Sequence, residues 1–465
     1  MGSRSQRLFV GEKMKKTKIV WTSVALVMAC LLIIGAAGWA YYEKNNEKDA
    51  LAGIDTEETQ SSEQTEKIET ETSTETETEI ETETEIVVIE PEVKKIRLMM
   101  VGDNLMHPSL IYSGDQPDGT KNYDMMFEPI KEYLEFADIK ITNQETIFGG
   151  NNLPFSGYPN FNSPTELGDS IAKAGFNVVL HGTNHAYDMG MNGIYNTLNH
   201  WKKYPEVIVA GIYENADEEN QDIHLLTIDG VTFAILNYTY SHNRATLTKD
   251  VQGHLGMLCD WDKETGKINM TKLHPDVLTD IATAKQMADV VIVCPHWGTE
   301  YTFVPSTYQK QFAQQITEAG ADLIIGTHPH VIQPIEWIEA SNGNKALCFY
   351  SLGNYVSSQY DPESMLEAMA WVTFESKGDY VSIVSSETGA IPMVYQYKLY
   401  NRFDNVYFLD EYTEDLAKAH GIHYNGNGDK HTYANLKKWA DDVLGMWLLN
   451  SQEVFQEDFG RELQQ

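Results

Sequence analysis

From Lys94 onward the sequence predicts a layered, mixed α/β domain. Short aliphatic runs alternate with stretches of helical periodicity, and several of the aliphatic runs end abruptly on His, Asp, Asn or Glu. Two turn dipeptides, Asp229-Gly230 and Asn342-Gly343, fold neighbouring strands back as hairpins, so the sheets carry antiparallel pieces as well as parallel ones.

Taken in order, residues 1–18 form a basic tail, with Arg4, Arg7, Lys13, Lys15, Lys16 and Lys18 against one acid, Glu12. Ile19 to Tyr42 follows without a charge and would span roughly 36 Å as a helix, enough to cross a bilayer. The basic flank places the tail in the cytoplasm and the rest of the chain outside, as a single-pass protein of the cell membrane. Residues 43–92 are dominated by a Thr-Glu repeat that cannot bury enough apolar surface to offset its ordering entropy; a disordered acidic stalk is expected.

Residues 93–400 carry the α/β pattern. Strand-like runs at 95–103, 138–145, 176–185 and 207–213 alternate with helical stretches at 126–136, 165–175 and 193–204. After the hairpin through Asp229-Gly230 come a helix at 274–288, a strand at 290–298, a helix at 308–320 and a strand taken to run from Ala321 through His330. Residues 401–465 read as a helical, aromatic-rich extension with no recognisable chemistry. Cys259, Cys294 and Cys348 cannot all pair and two of them sit in apolar runs, so buried thiols are expected in place of a disulfide framework. The chain holds 34 Lys and Arg against 68 Asp and Glu, and its net charge of −34 argues against nucleic-acid binding, which needs clustered cations at the phosphates.

The strand endings converge on one chemistry. Gly102-Asp103-Asn104-Leu105-Met106-His107, Asn143-Gln144-Glu145, Asn184-His185-Ala186-Tyr187-Asp188, His296-Trp297-Gly298-Thr299-Glu300 and Thr327-His328-Pro329-His330 each close a strand with residues able to hold a metal. In α/β sheets the crevice beyond the carboxyl ends of the strands is where ligands bind, so five such endings predict one shared polar site. In "GTHPHV" the alternation of a strand would aim His328 and His330 at the same point. The candidate metal ligands are Asp103, His107, Glu145, Asn184, His296, His328 and His330. Imidazole mixed with carboxylate and amide oxygen suits one or two divalent transition metal ions, Mn, Fe or Zn, better than Ca or Mg. His185 and Asp188 are the candidate catalytic pair, His185 to move a proton and Asp188 to fix its tautomer, and Glu300 is a further orienting acid.

The order G-D-x-x-M-H, N-x-E, N-H-x-x-D, H-W-G-x-E, G-x-H-P-H-V-x-Q and S-L-G-N, over roughly Ile96 to Tyr355, resembles the capsule-synthesis CapA family, associated with poly-γ-glutamate biosynthesis and related to calcineurin-like metallophosphoesterases. The resemblance implies a metallophosphoesterase-like sandwich of two mixed sheets flanked by helices. It implies Asp103 as the first acidic ligand, Glu145 in place of the bridging acid, Asn184-His185 as the Asn-His pair, and His296, His328 and His330 as the closing ligands. The wider superfamily begins D-x-H, whereas here Leu105 stands at that position and His107 comes four residues after Asp103. The implied function is capsule or poly-γ-glutamate biosynthesis or export, with an anionic polymer or phosphate ester as substrate and membrane synthase subunits as partners. A secreted phosphoesterase acting on nucleotide, lipid or wall phosphates and a non-enzymatic scaffold of a synthase complex are the alternatives.

Overall fold

The computed structural model describes residues 92–455, apart from 217–220, 245 and 379. The expected tail, the anchor at 19–42 and all of the stalk before Glu92 lie outside the described residues. Among the described residues no helix is long and apolar enough to cross a membrane.

Two mixed sheets form the domain. Along the chain, β1 (Val93–Asn104), β2 (Ile139–Asn143), β3 (Val178–Leu180) and β4 (Ile208–Ala210) run parallel. The hairpin of β5 (His224–Ile228) and β6 (Val231–Thr239) turns at Asp229 and Gly230, both at positive φ, as the dipeptide predicts. A small separate ribbon pairs β7 (Cys259–Trp261) with β8 (Ile268–Leu273). Then come β9 (Val290–His296), β10 (Leu323–Ile325), β11 (Ile335–Glu339) and β12 (Lys345–Phe349), with Gly343 at positive φ in the turn joining the last two. The chain finishes the first sheet with β13 (Asn354–Val356), β14 (Leu366–Lys377), β15 (Tyr380–Ile383), β16 (Gly389–Tyr397) and β17 (Phe403–Phe408). The first sheet is ordered β17-β16-β14-β1-β2-β3-β4, with β13 on β1 and β15 on β14, and the second β11-β12-β10-β9-β6-β5.

Strand alternation accounts for the layers. Ile96, Leu98, Met100, Ile139 and Ile141 from the first sheet share one buried cluster with Phe233, Ile235, Ile292, Leu323 and Ile325 from the second. The intervening residues face outward onto helices. Met99 and Val101 pack with Leu167 and Ile171 of α1 (Glu166–Ala174), near Trp201 of α2 (Gly190–Trp201). Val291 and Val293 pack with Val277 and Ile281 of α3 (Pro275–Met287) and with Phe312 and Ile316 of α4 (Thr307–Ala319). Ser306 and Gln309 close a reciprocal capping box at the start of α4, which satisfies two backbone donors there. Cys259, Cys294 and Cys348 are free and buried, as expected.

The C-terminal segment departs from a purely helical extension. It opens with β17, which pairs antiparallel with β16, and only later forms α5 (Tyr433–Leu444), whose Leu436, Ala440 and Leu444 join the cluster between the sheets. Among the described residues the C-terminal segment belongs to the same compact unit as the sheets, with no boundary at 400.

Candidate metal centre

The carboxyl ends of the parallel strands in both sheets meet at one place. Asp103 is the penultimate residue of β1, His296 the last of β9, and Glu145 lies two residues beyond β2. Asp103 is fully buried and held on both oxygens: Asn143 Nδ2 donates to Oδ1 at 2.7 Å and the His328 backbone N–H donates to Oδ2 at 3.2 Å. Its own N–H donates to Gly353 O at 3.0 Å. That contact explains two motifs together. A Cβ on Gly102 would fall well inside the contact distance of Gly353 O, so the G-D of β1 and the S-L-G-N loop fit only with no side chain at 102.

His328 and His330 arrive differently from the strand geometry expected of "GTHPHV". β10 stops at Ile325, and both histidines sit in the following loop at positive φ, 97° and 58°. Left-handed backbone at two non-glycine residues is strained, and it is this loop conformation, held by the bond to Asp103 and by the Tyr301 N–H on Pro329 O at 2.9 Å, that delivers the imidazoles.

Around Glu145 the donors gather. Ligand atoms of Glu145, His296 and His328 lie within 4.8 Å of one another, as do those of Asp103, Glu145 and His330, and those of Glu300, His328 and His330. Glu145 is buried with neither oxygen hydrogen-bonded, and its nearest imidazole nitrogens are His296 Nε2 at 3.7 Å, His330 Nδ1 at 3.9 Å and His185 Nε2 at 4.0 Å. His328 Nδ1 is likewise buried without a partner. Burial pushes Glu145 well above the usual carboxylate range and holds His296 and His328 well below the usual imidazole range. Burial alone would also lower His330, but the carboxylates of Glu145 and Asp103 outweigh it and raise that imidazole to about 9. A buried carboxyl group with two free oxygens, beside the unprotonated imidazoles of His296 and His328, is the kind of donor set a divalent transition metal takes, so the residues fit such an ion.

Asn184 joins the cluster through Oδ1, 2.9 Å from His296 Nε2. His185 is directed by Asp188, whose Oδ2 lies 2.7 Å from His185 Nδ1 and also accepts the Phe161 N–H at 2.7 Å. The carboxylate only accepts, so Nδ1 carries a proton and Nε2 faces Glu145. His107 stands outside the grouped donors. It packs edge-on against Phe161 with ring centres 5.4 Å apart, receives the Ser358 N–H, and is lowered to about 4 by burial. It walls the cleft beside the centre, because the four-residue spacing from Asp103 carries it past the end of β1. Glu300, expected only to orient, offers an oxygen to His328 and His330. Glu367 on β14 is fully buried with both oxygens unpaired, and burial followed by the nearby Asp103 charge raises it well above its ordinary value. Nothing in its strand pattern marks it in the sequence. His181 lies in the core, accepting the Trp201 indole N–H at 2.9 Å.

With this geometry in hand, comparison with known proteins identifies the chain. The model of the family described as "Bacterial capsule synthesis protein PGA_cap" matches residues 97–359. The chain belongs to that family. It is 35% identical over 185 residues to the PGA biosynthesis protein CapA of Bacillus subtilis, covering 40% of this chain and 43% of the relative. It is 30% identical over 280 residues to the capsule biosynthesis protein CapA of Bacillus anthracis, covering 58% and 61%. The matches therefore span less than two thirds of those relatives. Similar solved structures include the NAD nucleotidase of Haemophilus influenzae (13% identity, TM-score 0.40, 76% of this chain and 60% of that one) and a phosphatase of Mycoplasma pneumoniae (14%, 0.37, 65% and 95%).

Proposed function

We propose that this PGA_cap protein is a membrane-anchored, extracytoplasmic component of capsule or poly-γ-glutamate biosynthesis or export whose strand-end cluster is a metal-dependent hydrolase site. The observation that carries the hydrolase reading is Glu145, buried with two unpaired oxygens where two donor groups overlap. One or two ions of Mn, Fe or Zn would be held by Asp103, Glu145, Asn184, His296, His328 and His330, with Glu300 at the rim. Such an ion supplies Lewis-acid polarisation of a phosphoryl or carbonyl oxygen. The chain's own residues do the rest. Asp188 fixes the tautomer of His185, which leaves Nε2 as the atom that can take up a proton in the cleft and hand it on to a leaving group, and the loop of His328 and His330 holds its shape through Asp103. The placement of the centre outside the membrane rests on the basic flank and apolar span of residues 1–42.

Two experiments test the proposal. Turnover of bis(p-nitrophenyl) phosphate by the metal-loaded protein supports a hydrolase, whereas bound metal without turnover of any ester, together with co-purification of synthase subunits, supports a scaffold. Protease added to intact cells should release a fragment beginning near residue 93, and complete protection of the chain contradicts the topology.

A further inference from the structure

A cleft of about 720 Å³ opens directly beside the cluster, with His107, His185, Glu300 and His330 in its wall. Its composition is unusual for a site thought to meet a polyanion, because none of the described residues that line it is a Lys or an Arg. The charged side chains beside the histidines are carboxylates, Glu300 and Asp361. A chain of γ-linked glutamates laid along this wall would meet the like charge of Glu300 and Asp361, with positive charge only at the inner end, at His330 and the proposed ion.

What the cleft offers instead is aromatic surface. Tyr158 is 80% exposed, Tyr400 79%, Tyr360 51% and Tyr301 50%, and all four line the same opening from four separate segments of the chain. Amide side chains sit between them. Gln359 donates to the Tyr301 hydroxyl at 3.0 Å and accepts from Asn354 at 2.8 Å, and Asn354 Oδ1 lies 2.9 Å from His330 Nδ1, so the aromatic wall is tied to the metal cluster by a continuous chain of contacts. On the far side Asn425 donates to Asn401 at 2.9 Å and fixes the turn that presents Tyr400. The C-terminal segment thus builds part of the wall.

We infer that this cleft binds a neutral oligosaccharide, as the sugar portion of the substrate on which the proposed hydrolase site acts. Tyrosine faces suit the apolar C–H faces of sugar rings, while carboxylates and amide oxygens accept hydrogen bonds from hydroxyls. Four exposed rings at one opening offer more apolar surface than a single nucleobase needs. A nucleotide or a γ-glutamyl chain would find positive charge only at the cluster end of the cleft, and no Lys or Arg beside the tyrosines. The inference rests on the proposed hydrolase reading only for the position of the reacting group, because sugar binding can be read without turnover.

The test is saturation-transfer NMR on the full-length protein with chitotetraose, cellotetraose and mannotetraose, alongside a tetra-γ-glutamate. Expected is transfer to ring protons of at least one sugar and none to the glutamate oligomer. Tyr158→Ala and Tyr400→Asn, the second chosen because Asn tolerates the left-handed backbone at 400, should each weaken binding by roughly fivefold, the scale of one lost ring-face contact. Binding of the glutamate oligomer in place of sugars, no binding by any sugar of the panel, or variants that bind as the parent does would each overturn the inference. A protein that binds sugar but holds no metal would leave this inference standing and remove the hydrolase reading alone.

Discussion

Replacing Gly102 by alanine tests how the site is seated. The new Cβ would meet Gly353 O at well under 3.0 Å, closer than real Cβ contacts occur, and the obstacle is backbone, which cannot rotate away. Overpacking of this kind costs about 1–3 kcal/mol. The Asp103 N–H to Gly353 O bond at 3.0 Å would stretch with it, adding about 1 kcal/mol. The sum, about 2–4 kcal/mol, is a large part of the roughly 5–15 kcal/mol that holds a domain folded. Urea unfolding of the purified full-length protein followed by circular dichroism should show the midpoint falling by roughly 1 M for Gly102→Ala. Gly343→Ala serves as the control: φ is 91° there but nothing lies within 4 Å, so only left-handed strain of about 1–2 kcal/mol applies. A Gly102→Ala protein as stable as the parent would refute the reasoning that the G-D and S-L-G-N motifs interlock.

Three other outcomes follow from particular contacts. Asp188→Asn should lower ester turnover roughly 10- to 100-fold with metal content unchanged, since it loosens the His185 ring without touching the grouped donors; equal turnover would show that the 2.7 Å contact is idle. Ser306→Ala should cost about 1 kcal/mol in thermal unfolding by opening the capping box of α4, and an unchanged melting temperature would contradict it. Burial, with the Asp222 charge next, raises Asp280 to about 7, so its ionised form opposes folding; that penalty is absent below the unfolded value of 3.8 and grows as pH rises towards 7. Asp280→Asn should accordingly raise the melting temperature at pH 8 more than at pH 5, and a gain independent of pH would assign the effect elsewhere.

Much of the centre was legible because it lies where apolar runs stop. Asp103, Glu145 and His296 follow Val101, Ile141 and Val293, whose periodicity marks the strands, and Asp188 stands three residues from His185 in a spacing that invites a hydrogen bond. The antiparallel pieces could be read from the two hairpin dipeptides, whereas the two-sheet arrangement followed only from the family resemblance. The route by which His328 and His330 reach the centre was not legible, because the strand pattern runs on through Gly326 while tertiary contacts impose positive φ on both histidines. Glu300 reads in the sequence as an orienting acid, and only the position of the loop at 297–301 brings it within ligand distance of the histidines. His274, read as the first residue of a helix, instead caps α3 by accepting the Asp276 N–H and stacks on Trp261 at 4.1 Å. The cleft wall at Tyr400, Asn401 and Asn425 depends on a left-handed turn that β17 and the C-terminal segment stabilise together, and no local pattern announces such an arrangement.

The most direct test of the account is the metal content of the full-length protein and of His330→Ala, measured by plasma mass spectrometry and paired with melting curves taken with and without Mn, Fe or Zn. A metal that binds only the folded state stabilises it by about 2.7 kcal/mol at a hundred times its Kd. The account predicts bound transition metal and a metal-dependent rise in melting temperature for the parent, both lost in His330→Ala and both retained in His185→Ala. Full metal occupancy and an unchanged melting curve in His330→Ala, or no metal bound by the parent under any loading, would contradict it.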